Sequence, residues 1–188
     1  MKRLACRPPG ARTIVQSSFA RVYRLGGRSY GCLFRAGRAY RLGDQTSNES
    51  YPDTVRLGRV VRLAGRFAAY EIRHVGRGDS QYDVFVKDLR TGAIRRHPKA
   101  YEALTPPAEE PDAGVTDIVL SSRGAVAWIV RNIYADPVRL EVRKADATAR
   151  SALLDAGTAI DPASLTLGRD GTLRWLNAGV TRTSGLVP

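Results

Sequence analysis

A weak unit recurs four times along this chain and sets the scale on which it can fold. Each copy is a run of alternating apolar residues, a glycine turn, and an aromatic in the next alternating run. The copies end at Tyr30, Tyr70, Trp128 and Trp175, which fall 40, 58 and 47 residues apart. A glycine precedes each aromatic by four or five positions, at Gly26, Gly65, Gly124 and Gly171. Alternation with a period of two places one side of a strand inward, and glycine supplies the positive φ that tight hairpins require. The chain is therefore predicted to be a series of small hairpin-built units sharing one core.

The punctuation between apolar runs divides the sequence further. Residues 1–11 read as an extended lead-in, and 12–188 as a single β-repeat domain. Its units span about 12–43, 54–97, 115–155 and 164–188, with four short strands in each of the first three and three in the last. A Pro-rich loop, 98–114, carries Pro98, Pro106, Pro107 and Pro111 beside Glu109, Glu110 and Asp112, a composition that resists regular structure. A short helical turn is expected near Lys99–Leu104. The last unit lacks an outer strand, and Thr13–Gln16 is expected to supply it.

The segment Val84-Phe85-Val86-Lys87-Asp88-Leu89-Arg90-Thr91-Gly92-Ala93-Ile94 places Asp-x-x-Thr-Gly between two strands. Lys144-Ala145-Asp146-Ala147-Thr148-Ala149 is a poorer copy, and Asp170-Gly171-Thr172-Leu173-Arg174-Trp175 supplies an Asp-Gly followed by apolar-x-Trp. These pieces resemble degenerate WD40-like or TolB-type β-propeller repeats. The resemblance implies an all-β fold, a β-propeller-like array of about four small antiparallel blades, with a binding face at one end of the ring. It transfers no catalytic residue. A β-sandwich would give the same hairpin spacing and is the alternative architecture.

The chain has 188 residues, 43% of them hydrophobic, enough to bury a β core, and a formal net charge of +12. No apolar run approaches the roughly 18 residues that span a bilayer. The charge is almost all arginine, since lysine occurs only at Lys2, Lys87, Lys99 and Lys144. Arginines at alternate positions, such as Arg56 and Arg62 or Arg139 and Arg143, read as the solvated face of a sheet. A surplus of this size also suits a polyanion partner, nucleic acid or acidic polysaccharide, and that is the alternative function.

Catalytic chemistry finds little purchase. The two histidines, His74 and His97, have no motif around them, and no Gly-x-Ser-x-Gly, phosphate loop or calcium loop is present. Cys6, Cys32, His74 and His97 are the right types for zinc but lack ligand spacing. No catalytic residue, metal or cofactor is therefore predicted. Arg77-Gly78-Asp79 matches the integrin-recognition tripeptide and reads as hairpin-turn chemistry. The recognition candidates are aromatics, a histidine and charges at loop tips: Tyr51, His74, Arg77, Asp79, Tyr82, Tyr101 and Tyr134. The expected role is binding or scaffolding, with a protein or polyanionic ligand as partner and no enzymatic activity.

Cys6 and Cys32 are the only cysteines. Their pairing would pin the lead-in to the first hairpin and stabilise the fold by roughly 3 kcal/mol in the chain-entropy model. A paired count suits an oxidising compartment, so secretion is expected, with a signal segment upstream of Met1; a cytoplasmic location is the alternative. Intact-mass measurement after thiol alkylation should show no label on the native chain and two labels only after reduction. Two labels without reduction would remove the case for export.

Overall fold

The structure, a computed structural model, describes residues 5–43, 54–75, 80–101, 114–133, 135–148 and 150–188. Among them the chain forms fifteen strands. The first eight are β1 (Arg12–Gln16), β2 (Ala20–Leu25), β3 (Arg28–Leu33), β4 (Arg38–Leu42), β5 (Thr54–Ala64), β6 (Phe67–Val75), β7 (Ser80–Asp88) and β8 (Ile94–Arg96). The rest are β9 (Gly114–Leu120), β10 (Val126–Asn132), β11 (Arg139–Ala145), β12 (Ala152–Gly157), β13 (Thr166–Leu167), β14 (Thr172–Asn177) and β15 (Val180–Gly185). They make four antiparallel meanders, β1–β4, β5–β8, β9–β12 and β13–β15, none closed on itself. The architecture is all-β with four small sheets, not the two of a sandwich.

The sheets stack face to face in chain order. One cluster joins Ala20, Val22 and Leu42 of the first sheet to Ala68, Tyr70, Ile72 and Phe85 of the second. The next joins Phe67, Ala69, Val84 and Val86 to Ile118, Val126, Trp128 and Val130. A third joins Ala125, Ala127, Ile129 and Val142 to Leu173 and Trp175 of the last sheet. The two middle sheets are thus covered on both faces, which is why 67–70 of β6 and 126–130 of β10 read as unbroken apolar runs. In β14, by contrast, buried Leu173 and Trp175 alternate with exposed Arg174 and Leu176.

The four aromatics of the repeat need one correction. Tyr70, Trp128 and Trp175 lie on β6, β10 and β14, the second strand of their sheets, but Tyr30 lies on β3, the third. The equivalent residue in the first sheet is Tyr23 on β2, fully buried. The turn before it, Ser17–Phe19, has no glycine; Ser17 Oγ closes it by accepting the Ala20 N–H. Each second-strand aromatic faces the segment that precedes its sheet. Trp128 Nε1 donates to the Ala100 carbonyl at 2.7 Å, Trp175 Nε1 to Asp155 Oδ2 at 2.7 Å, and Tyr23 Oη to the Ala5 carbonyl at 3.0 Å.

Where the other three face a sheet, Tyr23 faces the lead-in. The disulfide Cys6–Cys32 ties it to β3, with Cα atoms 5.3 Å apart. Arg21 donates to the Cys6 and Ala11 carbonyls and stacks its guanidinium over Tyr23. The expected transfer of residues 13–16 to the last sheet does not occur. The three-residue turn holds β1 antiparallel to β2, and Val15 packs into the first inter-sheet cluster. The last sheet keeps three strands.

Asp-x-x-Thr-Gly forms the turn its residues suggest. Asp88 Oδ1 accepts the Arg90 N–H at 2.8 Å, Arg66 pairs with Oδ2 at 3.0 Å, and Gly92 takes φ +80° with its Cα against the Tyr40 ring. Asp146 and Asp170 accept the N–H two residues on in the same way, from Thr148 and Thr172. Residues 98–101, expected in the Pro-rich loop and its helical turn, instead run along β7. Val84 N–H donates to Pro98, Ala100 N–H donates to Tyr82, and Lys99 bridges Asp83.

Polar clamps lock neighbouring sheets. Arg96 donates to the Gly124 and Asp146 carbonyls. Lys144 reaches the Gly185 carbonyl and Asp146 Oδ2, and Asp146 also accepts the Val187 N–H. Burial opposes the Asp146 charge, but hydrogen bonds from Lys144, Thr148 and Val187 more than offset it and hold its carboxyl well below the ordinary range. A folded-state pKa below the unfolded value, near 3.9, contributes stability that is full above that pH and lost as pH falls through the folded-state value. Asp146→Asn should therefore cost roughly 1–3 kcal/mol at pH 7, with the gap narrowing below about pH 4 in urea titrations.

Candidate functional site

In a meander the turns alternate between two ends of the sheet. Here β1, β5, β9 and β13 all start at one end, where β2 turns into β3 at Gly26-Gly27 and β14 into β15 at Ala178-Gly179. At this end the first and second sheets part. The row Ala20, Val22, Arg24 runs along the face of β2 that looks at the second sheet, so Arg24 stands in phase with two core residues just beyond the apolar cluster. Its cross-strand neighbours are Arg12 on β1 and Ser29 on β3, and Ser29 pairs with Leu42. Opposite them, Leu57 on β5 pairs with Ile72 on β6.

Two adjoining cavities open between these rows. One, of about 340 Å³, is bounded by Arg24, Arg28 and Arg41 over a floor of Leu42, Leu57 and Ile72. The other, of about 420 Å³, is bounded by Arg12, Arg24 and Arg59 with Ile14 and Gly58. Arg24 and Leu57 belong to both. The five arginines are exposed, and none forms an ion pair with a carboxylate among the described residues. Behind this wall Lys87, nearly fully buried, donates Nζ–H to the Arg41 carbonyl at 2.7 Å, and burial pushes its pKa down.

Glu71 backs the cleft on the other side of β5. It is fully buried between Gly58 and Gly114, where a Cβ on either glycine would strike its carboxylate. Oε1 accepts the Val115 N–H at 2.8 Å and Oε2 the Arg73 Nε–H at 3.1 Å. Burial raises its pKa despite the pull of Arg73, Val115 and Arg59. Both oxygens are engaged, so Glu71 joins β6 to β9.

A larger cavity, about 550 Å³, lies at the opposite end between the turns at Ser121–Gly124 and Gly168–Gly171. Its charges are mixed: Arg123 and Arg169 stand beside Asp170, whose carboxylate is held by the Thr172 hydroxyl and N–H.

Of the recognition candidates, Tyr51, Arg77, Asp79 and Tyr134 lie outside the described residues. His74 belongs to β6, in register with Val55 and Gln81, and its side chain is also outside them. Tyr82 and Tyr101 were expected at exposed tips, yet they are 6% and 5% exposed, with ring centroids 5.7 Å apart. The cause is the pairing of residues 98–101 with β7, which carries both rings into the second inter-sheet core. His97, which has no motif around it in the sequence, stacks on Phe85 at 3.9 Å and lies 3.5 Å from Asp83. The two cysteines bond each other and so are not available to a metal.

Arginines expected on wet faces are partly interior. Glu141, 1% exposed, accepts from Asn132, Arg139 and Arg143, and Arg62 pairs with Asp117 at 3.1 Å. Arg143 is buried with Glu141, whereas Arg62 and Arg139 keep their guanidinium groups in solvent as expected while reaching inward to a carboxylate. The cleft arginines themselves were not singled out in the sequence. Their signal was phase: Arg24 continues the buried positions of its strand. Among the described residues no helix is long and apolar enough to cross a membrane.

What the geometry defines is an all-β stack of four meanders with a cationic cleft between the first two. Comparison with family models, curated proteins and solved structures found no match to this chain.

Removing Glu71 would strand Arg73 and the Val115 N–H inside the stack. Glu71→Ala should cost about 3–5 kcal/mol in urea unfolding. A loss under 1 kcal/mol would show that this carboxylate does not fasten β6 to β9.

Proposed function

We propose that this chain is a secreted, β-propeller-like, non-enzymatic binding module whose ligand is anionic. The observation that carries the reading is the cleft between the first two sheets. Arg12, Arg24 and Arg59 line it over an apolar floor, Arg28 and Arg41 border it, and none of the five forms an ion pair with a described carboxylate, although Glu71 behind β5 acts on Arg59 through space. Charges held apart in this way keep one another's potential high and attract anions. The propeller-like reading draws support from the first strands, which touch in series: β1 against β5, β5 against β9, β9 against β13. Blades set around an axis bring their first strands together in that order. The Cys6–Cys32 disulfide supports an oxidising compartment. The binding reading fits the buried acids, since Glu71 and Glu141 are both taken up by arginine partners.

Elution from a heparin column tests it. The wild-type chain should bind at low salt and release as NaCl rises, because anion binding through arginine releases counterions. Arg24→Gln/Arg59→Gln should elute at clearly lower salt than Arg95→Gln/Arg150→Gln, which removes the same charge from exposed positions outside the cleft. Equal elution of the two double variants would reduce the binding to net charge and overturn the cleft as its seat.

A further inference from the structure

Arg12 and Arg24 lie directly opposite each other where β1 pairs with β2, on the face that looks at the second sheet. Like charges at such a position repel and weaken the pair. Arg59 on β5 lines the same cavity, of about 420 Å³, from the facing sheet. None of the three forms an ion pair with a described carboxylate, and Glu71 acts on Arg59 only from behind β5. The adjoining cavity, of about 340 Å³, has a different character, with Leu42, Leu57 and Ile72 as its floor. Ser29, 7% exposed, stands there on the row of Arg24 and Leu42, and its hydroxyl has no hydrogen-bond partner among the described residues. We propose that the cleft binds a small phosphate monoester, its phosphate held by Arg12, Arg24 and Arg59 and its apolar body lying over Leu42, Leu57 and Ile72. This rests on the reading of the chain as an anion-binding module and adds the head group, its seat and the character of what it carries.

Charge favours phosphate as the head. A monoester carries about −1.5 to −2 at neutral pH, set here against three arginines. A carboxylate or a sulfate is singly charged and leaves more of the repulsion between Arg12 and Arg24 in place. Planar guanidinium forks also match the oxygens of a phosphate two at a time. The floor defines the body. Arg24 and Leu57 border both cavities, so a head in one and a body in the other are continuous. Ser29 carries the one neutral polar side chain that lines the floored cavity, which leaves the body a single uncharged group to bond. None of the lining residues is aromatic, so a flat nucleic-acid base finds no stacking platform. Volume favours a small molecule, since cavities of about 340 and 420 Å³ fall in the range of metabolite sites. A polymeric polyanion would run along the arginines and leave the floor uncovered.

Isothermal titration of the full chain with n-hexyl phosphate, orthophosphate and n-hexyl sulfate tests the proposal. Hexyl phosphate should bind one to one and at least about 10-fold tighter than orthophosphate, because methylenes laid on the floor leave water. On the wild-type chain the affinity should climb from ethyl through butyl to hexyl phosphate, a trend that needs no variant to fold. Hexyl phosphate should also outbind hexyl sulfate at neutral pH and lose that margin near pH 5, where the phosphate falls towards a single charge. Arg24→Gln should weaken hexyl phosphate and orthophosphate alike by about 10-fold. Leu57→Ala should erase most of the hexyl advantage and leave orthophosphate unchanged, and Arg95→Gln should alter neither. Equal affinity for hexyl phosphate and orthophosphate would overturn the proposal, as would equal binding of hexyl phosphate by Arg24→Gln and wild type. Equal affinity for hexyl phosphate and hexyl sulfate at neutral pH would overturn phosphate as the head. Capture by phosphatidylcholine vesicles carrying phosphatidic acid, with free hexyl phosphate unbound, would mark a membrane ligand and overturn the compact one. Heparin retention that depends on the cleft, with no hexyl phosphate bound, would overturn this proposal while sparing the anion-binding reading. Retention indifferent to the cleft, again with no hexyl phosphate bound, would overturn both.

Discussion

An aromatic on the second strand of every sheet, turned toward whatever precedes that sheet, is the interaction from which the rest of this architecture follows. Tyr70 fills the space between the first two sheets, Trp128 the next and Trp175 the last. Burial of one such ring removes a large apolar area from water. Trp128 and Trp175 also use the indole N–H to grip the preceding segment, so burial leaves no donor unsatisfied and the spacing of the sheets is fixed. The device makes every sheet dependent on the one before it. In the first sheet Tyr23 faces residues 5–11 rather than a sheet, and it would stand bare without them. A disulfide, an arginine with two carbonyl acceptors and the tyrosine hydroxyl hold residues 5–11 there.

Covering both faces of the middle sheets has a polar cost. Strands of alternating character must put their second set of side chains into an interface as well, and those that are charged have to be paired. Glu71, Asp117 and Glu141 are the result: each is buried or nearly so and each is met by an arginine. Such pairs add little net stability over apolar residues of the same shape, because desolvation consumes most of the attraction. What they impose is register. Glu71 accepts from β9 only when Val115 lies opposite, and a slip of one residue would turn it onto the other face. The glycines at 58 and 114 leave room for that carboxylate and for nothing larger.

This explains which parts of the molecule could be read from the sequence. Strand number and grouping were legible because glycine turns and period-two alternation are local signals, and Asp88 to Gly92 announced its own turn. The first aromatic was misplaced because two tyrosines, Tyr23 and Tyr30, sit on adjacent strands and only Tyr30 follows a glycine. The burial of Tyr82 and Tyr101 was not legible, since it depends on a proline-rich stretch pairing with β7 through backbone groups that leave no residue pattern. Nor was the pairing of Arg143 with Glu141, two residues apart on one strand. An isolated strand with that spacing looks solvated until a second sheet covers it.

The cleft follows from the same constraint where the constraint runs out. The first two sheets are held together along Ala20, Val22, Leu42, Tyr70 and Ile72, and the row ends at Arg24, in phase with the core but unable to enter it. An apolar residue there would extend the contact and close the gap. A guanidinium cannot be desolvated without a partner, and no described carboxylate on the facing rows of β5 and β6 supplies one. The sheets therefore stop touching at the first charged position, and Arg12, Arg28, Arg41 and Arg59 surround the space that remains. A core residue at position 24 would have made a better scaffold. Arginine at that position, beyond the last apolar contact and facing a wall of leucine and isoleucine, exchanges packing for a site that an anion can complete.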